Sequence, residues 1–212
     1  DRVAAMLGDN FIDTREELMQ HKNEYLYYKT DHHWTALGAY YAYRVWAQAQ
    51  KIPVREQEDY KISTGSEEFY GTLYSKVNIQ MPADTVLLYE DERSYRVEYD
   101  MDGKPQKSMF SMKRLSEKDK YMVYLDGNHA LTQIQQQGQK KTEKKLLVIK
   151  DSYAHTFVPF LAQDYDEVIM VDFRYNKMPV SMIIENYGIT DILVLYNATN
   201  FVHDDNLYQL ER

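Results

Sequence analysis

The sequence contains no cysteine, which excludes disulfides and thiolate-ligated metals anywhere along its 212 residues. It also lacks a long apolar run: segments such as Leu146–Ile149 and Ile192–Tyr196 fall far short of the roughly 20 residues a membrane-spanning helix needs. Positive charge is in the minority, with a formal net charge of -8. Affinity for a phosphate backbone comes from clustered Lys and Arg, so nucleic acid is not an expected partner. The one dense basic cluster, Lys140, Lys141, Lys144 and Lys145, is interrupted by Glu143 and reads as a solvated loop. No internal repeat and no low-complexity linker divides the chain, so residues 1–212 are expected to form a single domain. The first residue is Asp1 rather than methionine, and a further upstream segment of the native protein, lost to processing or to truncation, is expected to carry any signal or anchor.

What is present is an apolar fraction ordinary for a folded protein and an unusual supply of tyrosine, 20 in all. Thr14-Arg15-Glu16-Glu17 has the form of a capping box and predicts a helix to about His21. Tyr25–Lys29 is rich in strand formers and predicts a strand leading to Asp31. Thr35 can cap a helix to about Gln50, whose apolar face would carry Leu37, Tyr40, Tyr41 and Val45, and Pro53 fits the stop beyond it. The middle third is turn-rich, with a hairpin expected between Tyr95–Tyr99 and Lys107–Met112 around Asp102-Gly103. A strand at Tyr121–Leu125 and a helix over Ala130–Gln136 follow. The last third alternates clearly: strand Lys145–Lys150, helix His155–Ala162, strand Glu167–Asp172, helix Met182–Tyr187 and strand Asp191–Tyr196. Such alternation implies βαβ crossovers, hence an α/β doubly wound, mainly parallel sheet.

In open α/β sheets the ligand crevice lies beyond the carboxyl ends of the strands. Two polar clusters occupy such places, Thr30-Asp31-His32-His33-Trp34 and Lys150-Asp151-Ser152-Tyr153-Ala154. A serine at a strand-to-helix turn exposes its hydroxyl beside backbone N–H groups able to hold an oxyanion. It becomes a nucleophile when a histidine takes its proton, and the histidine works best when a carboxylate fixes its tautomer. In extended backbone the side chains of Asp31 and His33 share one side and His32 points away, which makes His33 the expected base. The same alternation argues against a metal held by the two histidines, and no metal or cofactor is expected. Each piece has a plainer reading: a serine or Asp151 in a βα turn can simply cap the helix. Trp34 begins a helix that must dock and is expected to pack there.

Asp31-His32-His33-Trp34, with Tyr-Tyr-Lys-Thr before it and Thr-Ala-Leu-Gly-Ala-Tyr after it, resembles the signature of the DHHW family of bacterial proteins. That family is related to the SGNH hydrolase-like proteins of alginate O-acetylation, whose motif is Asp-x-His-Trp and whose nucleophilic serine lies late, in a Ser-Tyr motif. Asp31, His33 and Ser152-Tyr153 match in that order. The resemblance implies an SGNH hydrolase-like, flavodoxin-like sandwich with a β-hairpin insertion, and a triad of Asp31, His33 and Ser152 within hydrogen-bond reach. SGNH enzymes add a glycine N–H and an asparagine amide to the oxyanion hole, roles for which Gly127 and Asn128 are candidates, although the usual order places the serine first. Asn197, after the last strand, competes for the amide role. Arg174 and Tyr196 also follow strand ends and are candidates for binding an acyl donor or sugar hydroxyls, with surface pairing and core packing as the alternatives.

The resemblance implies acyl transfer, most simply O-acetylation of an extracellular or cell-wall polysaccharide, outside the cytoplasmic membrane, with a membrane-bound O-acyltransferase as acyl source. Tyr70, Tyr74, Tyr95 and Tyr99 are expected to offer aromatic platforms to the acceptor. A carbohydrate O-acetylesterase, a non-catalytic polysaccharide-binding or assembly subunit, and a plain structural domain are the competing readings.

Overall fold

A computed structural model describes residues 2–77, 79–101, 103–138 and 142–211. They form two compact units, Asp1–Glu90 and Asp91–Arg212.

In the first unit, helices α1 (Arg2–Leu7) and α2 (Arg15–Gln20) precede the longer α3 (Ala36–Ala49). The Thr14 side chain makes no capping bond, and Asp13 instead accepts from the Arg15 N–H at 3.0 Å. Thr35 does cap α3, accepting from the Gly38 N–H at 3.2 Å. Tyr40 and Tyr41 are buried as expected, while Leu37 and Val45 are half-buried; Ala39, Ala42, Tyr43, Trp46 and Ala47 carry the burial further round the helix. Strands β1 (Lys61–Phe69) and β2 (Asp84–Glu90) pair antiparallel, with the short helix α4 (Thr72–Val77) between them.

The expected strand at Tyr25–Lys29 does not form. Its one ladder contact is an isolated bridge between Tyr27 and Trp34. The physical reason is Asp84, 2% exposed at the start of β2, whose carboxylate accepts the Lys29 N–H at 3.0 Å, the Thr30 N–H at 2.7 Å, the Thr30 hydroxyl at 2.5 Å and the Tyr25 hydroxyl. The N–H groups at the end of the stretch, Lys29 and Thr30, are spent on a side chain, and that of Tyr28 on the His33 carbonyl.

The second unit is built on a five-stranded sheet in the order β3-β4-β6-β5-β7. Its strands are β3 (Ser94–Tyr99), β4 (Leu131–Gln137), β5 (Lys145–Lys150), β6 (Glu167–Val171) and β7 (Asp191–Leu195), and its helices α5 (Ala154–Leu161), α6 (Val180–Tyr187) and α7 (Ala198–His203). The β5–β6 and β5–β7 pairs are parallel, and the β3–β4 and β4–β6 pairs antiparallel. The sheet is therefore mixed, not mainly parallel. The path from β5 to β6 reverses direction on the way to β7, so right-handed crossovers put α5 and α6 on opposite faces, as in a doubly wound sheet. Leu147, Ile149, Ile169 and Val171 pack with Val180 and Ile183 of α6, while Leu146, Val148, Val168 and Met170 are buried on the other side. Burial of both faces is why β5 and β6 read as unbroken apolar runs.

Three further expectations are corrected. Tyr95–Tyr99 is a strand, but its partner is β4, and among the described residues only Val97 bridges back, to Gln106; Asp102 of the expected turn lies outside the described residues. Tyr121–Leu125 is a 3-10 turn over Lys120–Val123 followed by Leu125 and Asp126 in left-handed backbone, not a strand. Ala130–Gln136 is strand rather than helix, because pairing with β3 on one side and β6 on the other satisfies its backbone. In the basic cluster, Lys144 is exposed, but Lys145 belongs to β5 and pairs with Glu167 at 2.8 Å; Lys140 and Lys141 lie outside the described residues.

The burial of Asp84 yields a stability prediction. Asp84→Ala strands several interior donors and should cost about 3 kcal/mol or more in urea denaturation, with Asp84→Asn costing less because one acceptor oxygen survives. A loss below about 1 kcal/mol for the alanine variant would show that water replaces the carboxylate at little cost.

Candidate active site

Thr30, fixed by Asp84, is followed by a bend that carries Asp31, His32 and His33. Asp31 and His33 are 3% and 5% exposed. The Asp31 Oδ1 accepts both the His33 N–H, at 3.1 Å, and the His33 Nδ1–H, at 2.5 Å. With the Nδ1 proton committed to Asp31, Nε2 is the basic nitrogen of the neutral ring. The Asp31 Oδ2 accepts the Thr72 N–H at 2.8 Å and the Thr72 hydroxyl at 3.0 Å. Burial works to raise the Asp31 carboxyl. The His33 hydrogen bond and charge, with the Thr72 N–H and the charge of His32, outweigh it and hold the group well below the usual carboxylate range.

The pairing of Asp31 with His33 was expected, but its geometry is not the expected one. Residues 29–33 turn rather than extend, so alternation does not apply and His32 does not point away: its ring lies 3.9 Å from that of His33, at 38°. Asp31, His32 and His33 consequently offer ligand atoms within 4.8 Å of one another, and the directional argument against a metal falls. What opposes a cation there is that both oxygens of Asp31 already meet two N–H or O–H donors each. Trp34 is buried at the start of α3.

Ser152 belongs to the second unit, in the turn between β5 and α5, where the sequence placed it. Its carbonyl accepts the Tyr121 hydroxyl at 2.9 Å and the His155 N–H at 3.2 Å. Asp151 organises the turn: Oδ1 accepts the Tyr153 N–H at 2.9 Å, its carbonyl accepts the Ala154 N–H at 3.3 Å, and Oδ2 accepts the Asn197 N–H and the Asn200 amide. The helix-start N–H groups of Tyr153, Ala154 and His155, expected to face an oxyanion, are thus engaged inside the turn. Asp151 holds an Asx turn ahead of α5 rather than capping the helix, whose cap position, Tyr153, makes no side-chain capping bond.

Beneath the turn, Lys150 is 1% exposed and its ammonium meets His155 Nε2 at 2.9 Å and Asp172 at 3.3 Å. Burial pushes the Lys150 ammonium down, and Asp172 opposes that. Asp172 also takes the Arg174 backbone N–H, Nε at 2.8 Å and Nη2 at 2.6 Å. The structure brings Arg174 to Asn128, whose Oδ1 lies 3.4 Å from Nη2. Gly127 has φ +91°, and a Cβ there would press on Met122. Asn197 is spent as the cap of α7, accepting the Asn200 N–H at 2.8 Å, and burial pushes the Tyr196 hydroxyl up. Of the expected aromatic platforms, the Tyr70 and Tyr74 rings lie 4.7 Å apart, tilted by 46°, with Tyr70 38% exposed, whereas Tyr95 is buried with its hydroxyl 2.5 Å from Asp91. Tyr99 stacks on His129 at 4.3 Å. Thr72, Gly71 and Asp84 went unread in the sequence, since no local pattern links them to a motif some 40 to 55 residues earlier.

The sequence profile described as DHHW protein matches residues 4–171. The chain belongs to the DHHW family. A DHHW family protein from Eubacterium siraeum DSM 15702 superposes on this DHHW chain with a TM-score of 0.83 at 30% identity, covering 95% of it and 68% of that protein. Bacillus cereus PatB1 with a sulfonyl adduct gives 0.71 at 22% identity over 89% of this chain and 67% of its own, and PatB1 without it 0.70 at 21%, over 88% and 68%. The PatB1 likeness is one of fold. No curated protein matches the DHHW chain.

The depressed Asp31 carboxyl fixes the sign of an acid response. A carboxylate whose folded pKa lies below its unfolded value contributes stability that is complete above the unfolded value and lost as pH falls through the folded one. The Asp31 carboxyl carbon should therefore show no NMR titration between about pH 7 and about pH 4, the ordinary aspartate value being about 3.9. The stability deficit of Asp31→Asn should be complete in the same window and shrink in stronger acid. A midpoint at or above the ordinary value would mean that burial, not His33 and Thr72, dominates.

Proposed function

We propose that this DHHW chain transfers acyl groups, acetyl foremost, through an acyl-Ser152 intermediate to hydroxyls of an extracellular or cell-wall polysaccharide. The observation that carries the reading is the Asp31–His33 pair, an imidazole whose tautomer and orientation are set before any substrate arrives. His33 Nε2 removes the Ser152 proton as Oγ attacks the acyl carbonyl, and returns it to the departing oxygen of the donor. An acceptor hydroxyl then gives its proton to the same nitrogen, attacks the acyl-serine carbonyl, and Ser152 Oγ leaves with that proton. Water in the acceptor's place makes the reaction an ester hydrolysis.

Ser152 on a strand-to-helix turn supports the assignment of the nucleophile. So does the fold shared with PatB1, which carries a sulfonyl adduct, the product expected when a protein nucleophile displaces the leaving group of a sulfonyl reagent. Asn128, with its carbonyl oxygen turned to Arg174, is the oxyanion donor we favour over Asn197, whose side chain is the cap of α7. The proposal places the reaction outside the cytoplasmic membrane with a membrane-bound O-acyltransferase as acyl source. Among the described residues no helix is long and apolar enough to cross a membrane.

Incubation with an activated acetyl ester should add one acetyl mass at Ser152, and Ser152→Ala should abolish both adduct and turnover while leaving the fold intact. Asp31→Asn should lower turnover on the order of a thousand-fold, because the amide favours the wrong tautomer, and His32→Ala should be milder than His33→Ala. Full ester turnover by Ser152→Ala would overturn Ser152 as the nucleophile, and absence of both adduct and ester turnover in the parent would sink the proposal in favour of a binding role.

The acceptor is tested separately, with a panel of oligosaccharides and mass spectrometry. A net acidic chain should favour neutral or cationic sugars over strongly anionic ones, so slow hydrolysis should give way to acetylated product when such a sugar is added. Fast hydrolysis with no acetylated sugar across the panel would make the protein an esterase.

A further inference from the structure

Asp31 is held from two directions. His33 takes Oδ1, and the turn at Gly71-Thr72, more than one-third of the first unit away in sequence, takes Oδ2. That turn is itself sewn to the motif. The Gly71 N–H donates to the Thr30 hydroxyl at 3.1 Å and the Tyr74 N–H to the Thr30 carbonyl at 3.0 Å. Gly71 stands where no side chain fits, since a Cβ would overlap the Cβ and Oδ2 of Asp31. The backbone can come close enough for the Thr72 N–H to reach the carboxylate only because that Cβ is missing.

Thr72 has one hydroxyl proton and two neighbours for it. Its Oγ1 lies 3.0 Å from Asp31 Oδ2 and 2.7 Å from His32 Nδ1. When His32 presents Nδ1–H, the hydroxyl accepts from His32 and its own proton turns to Asp31. When His32 presents a lone pair, that proton is drawn to His32 and Asp31 keeps the Thr72 N–H alone on Oδ2. His32, 41% exposed in its side chain, thereby sets how firmly the carboxylate is held through its hydrogen bond to Thr72.

We propose that Gly71, Thr72 and His32 form a positioning device for the acid–base pair, in which Thr72 holds Oδ2 of Asp31 so that Oδ1 stays aligned on His33 Nδ1. Its bearing on catalysis rests on the acyl-transfer reading above, whereas its bearing on the Asp31–His33 hydrogen bond does not. This gives the first histidine of the Asp31-His32-His33 motif a role distinct from that of the base.

The test compares Thr72→Val, which keeps the shape and loses the hydroxyl, with Thr72→Ser, which keeps the hydroxyl, in the full chain. Two readouts are used: turnover and KM on an acetyl ester, and the low-field proton NMR signal of His33 Nδ1–H. Thr72→Val should lower kcat about 10-fold, with KM unchanged, and Thr72→Ser should restore it. The Nδ1–H signal should broaden or vanish through faster exchange in the valine variant and persist in the serine variant. His32→Ala should shift the same signal by a smaller amount in the same sense. If valine and serine variants both match the parent in the NMR signal, the device does not exist, whatever the kinetics. If the parent itself shows no ester turnover, the acyl-transfer reading fails and the NMR comparison still decides this one. Should Thr72→Val unfold, as far-ultraviolet circular dichroism would reveal, Gly71→Ala examined by the same signal supplies the second perturbation: an unchanged signal there overturns the proposal.

Discussion

A carboxylate inside a protein is stable only to the extent that donors converge on it, and Asp84 has drawn its donors from one short stretch of chain. The Tyr25 hydroxyl, the Lys29 and Thr30 N–H groups and the Thr30 hydroxyl all end on it. Those bonds take the backbone donors at the end of a stretch where composition favours a strand, and the chain bends there so that Asp31 and His33, with one residue between them, meet. The same Thr30 hydroxyl receives the Gly71 N–H, and the Gly71-Thr72 turn closes on Asp31. Asp84, Thr30, Thr72 and Asp31 thus form a hierarchy: a buried anion fixes a loop, the loop fixes a turn, and loop and turn fix a second anion whose acidity the arrangement raises.

Elements that bury both faces were legible and elements defined by partners were not. Leu146–Ile149 and Val168–Val171 are apolar throughout because the α5 and α6 faces both cover them, and such runs between helical patterns have few other readings. Leu131-Thr132-Gln133-Ile134-Gln135-Gln136 has an apolar pair spaced for a helix and glutamines that favour one. Two neighbouring strands overrule that preference, and nothing within the segment announces them. Tyr121–Leu125 carries strand formers in a tight turn because Tyr121 and Tyr124 are buried there and the Tyr121 hydroxyl is engaged by the Ser152 carbonyl.

The site shows the same division. Asp31 and His33 could be singled out because a carboxylate two residues from an imidazole is a chemical statement whatever the backbone does. The backbone there is not extended, and the His32 ring lies 3.9 Å from that of His33, tilted by 38°, rather than pointing away. A bend that returns the His33 N–H to Asp31 Oδ1 produces the pairing that alternation was invoked to explain. Thr72 and Asp84 carry no comparable signature, since a threonine after a glycine and an aspartate before Thr-Val-Leu-Leu-Tyr are ordinary loop and strand-edge residues until the chain folds.

The reversal of β4 decides what the working edge of the second sheet contains. In a sheet of parallel strands, residues that precede a strand lie at the edge opposite to those that follow one, so Gly127 and Asn128 would sit far from the turn bearing Ser152. Because β4 runs against β6, with Leu131 opposite Val171 and the Asp172 N–H on the Ala130 carbonyl, the approach to β4 comes to the edge where β5, β6 and β7 end. That edge therefore gathers Asn128, Ser152, Arg174 and Asn197 from four separate connections, and Asp172 fixes the Arg174 that meets Asn128. The expected roles of Gly127 and Asn128 were attached to a strand that does not exist; the two residues instead precede β4, and a residue entering an antiparallel strand and one leaving a parallel neighbour share an edge. Mixed pairing is thus the feature of this sheet that brings the approach to β4 to the edge where its parallel strands end, a placement that parallel topology withholds.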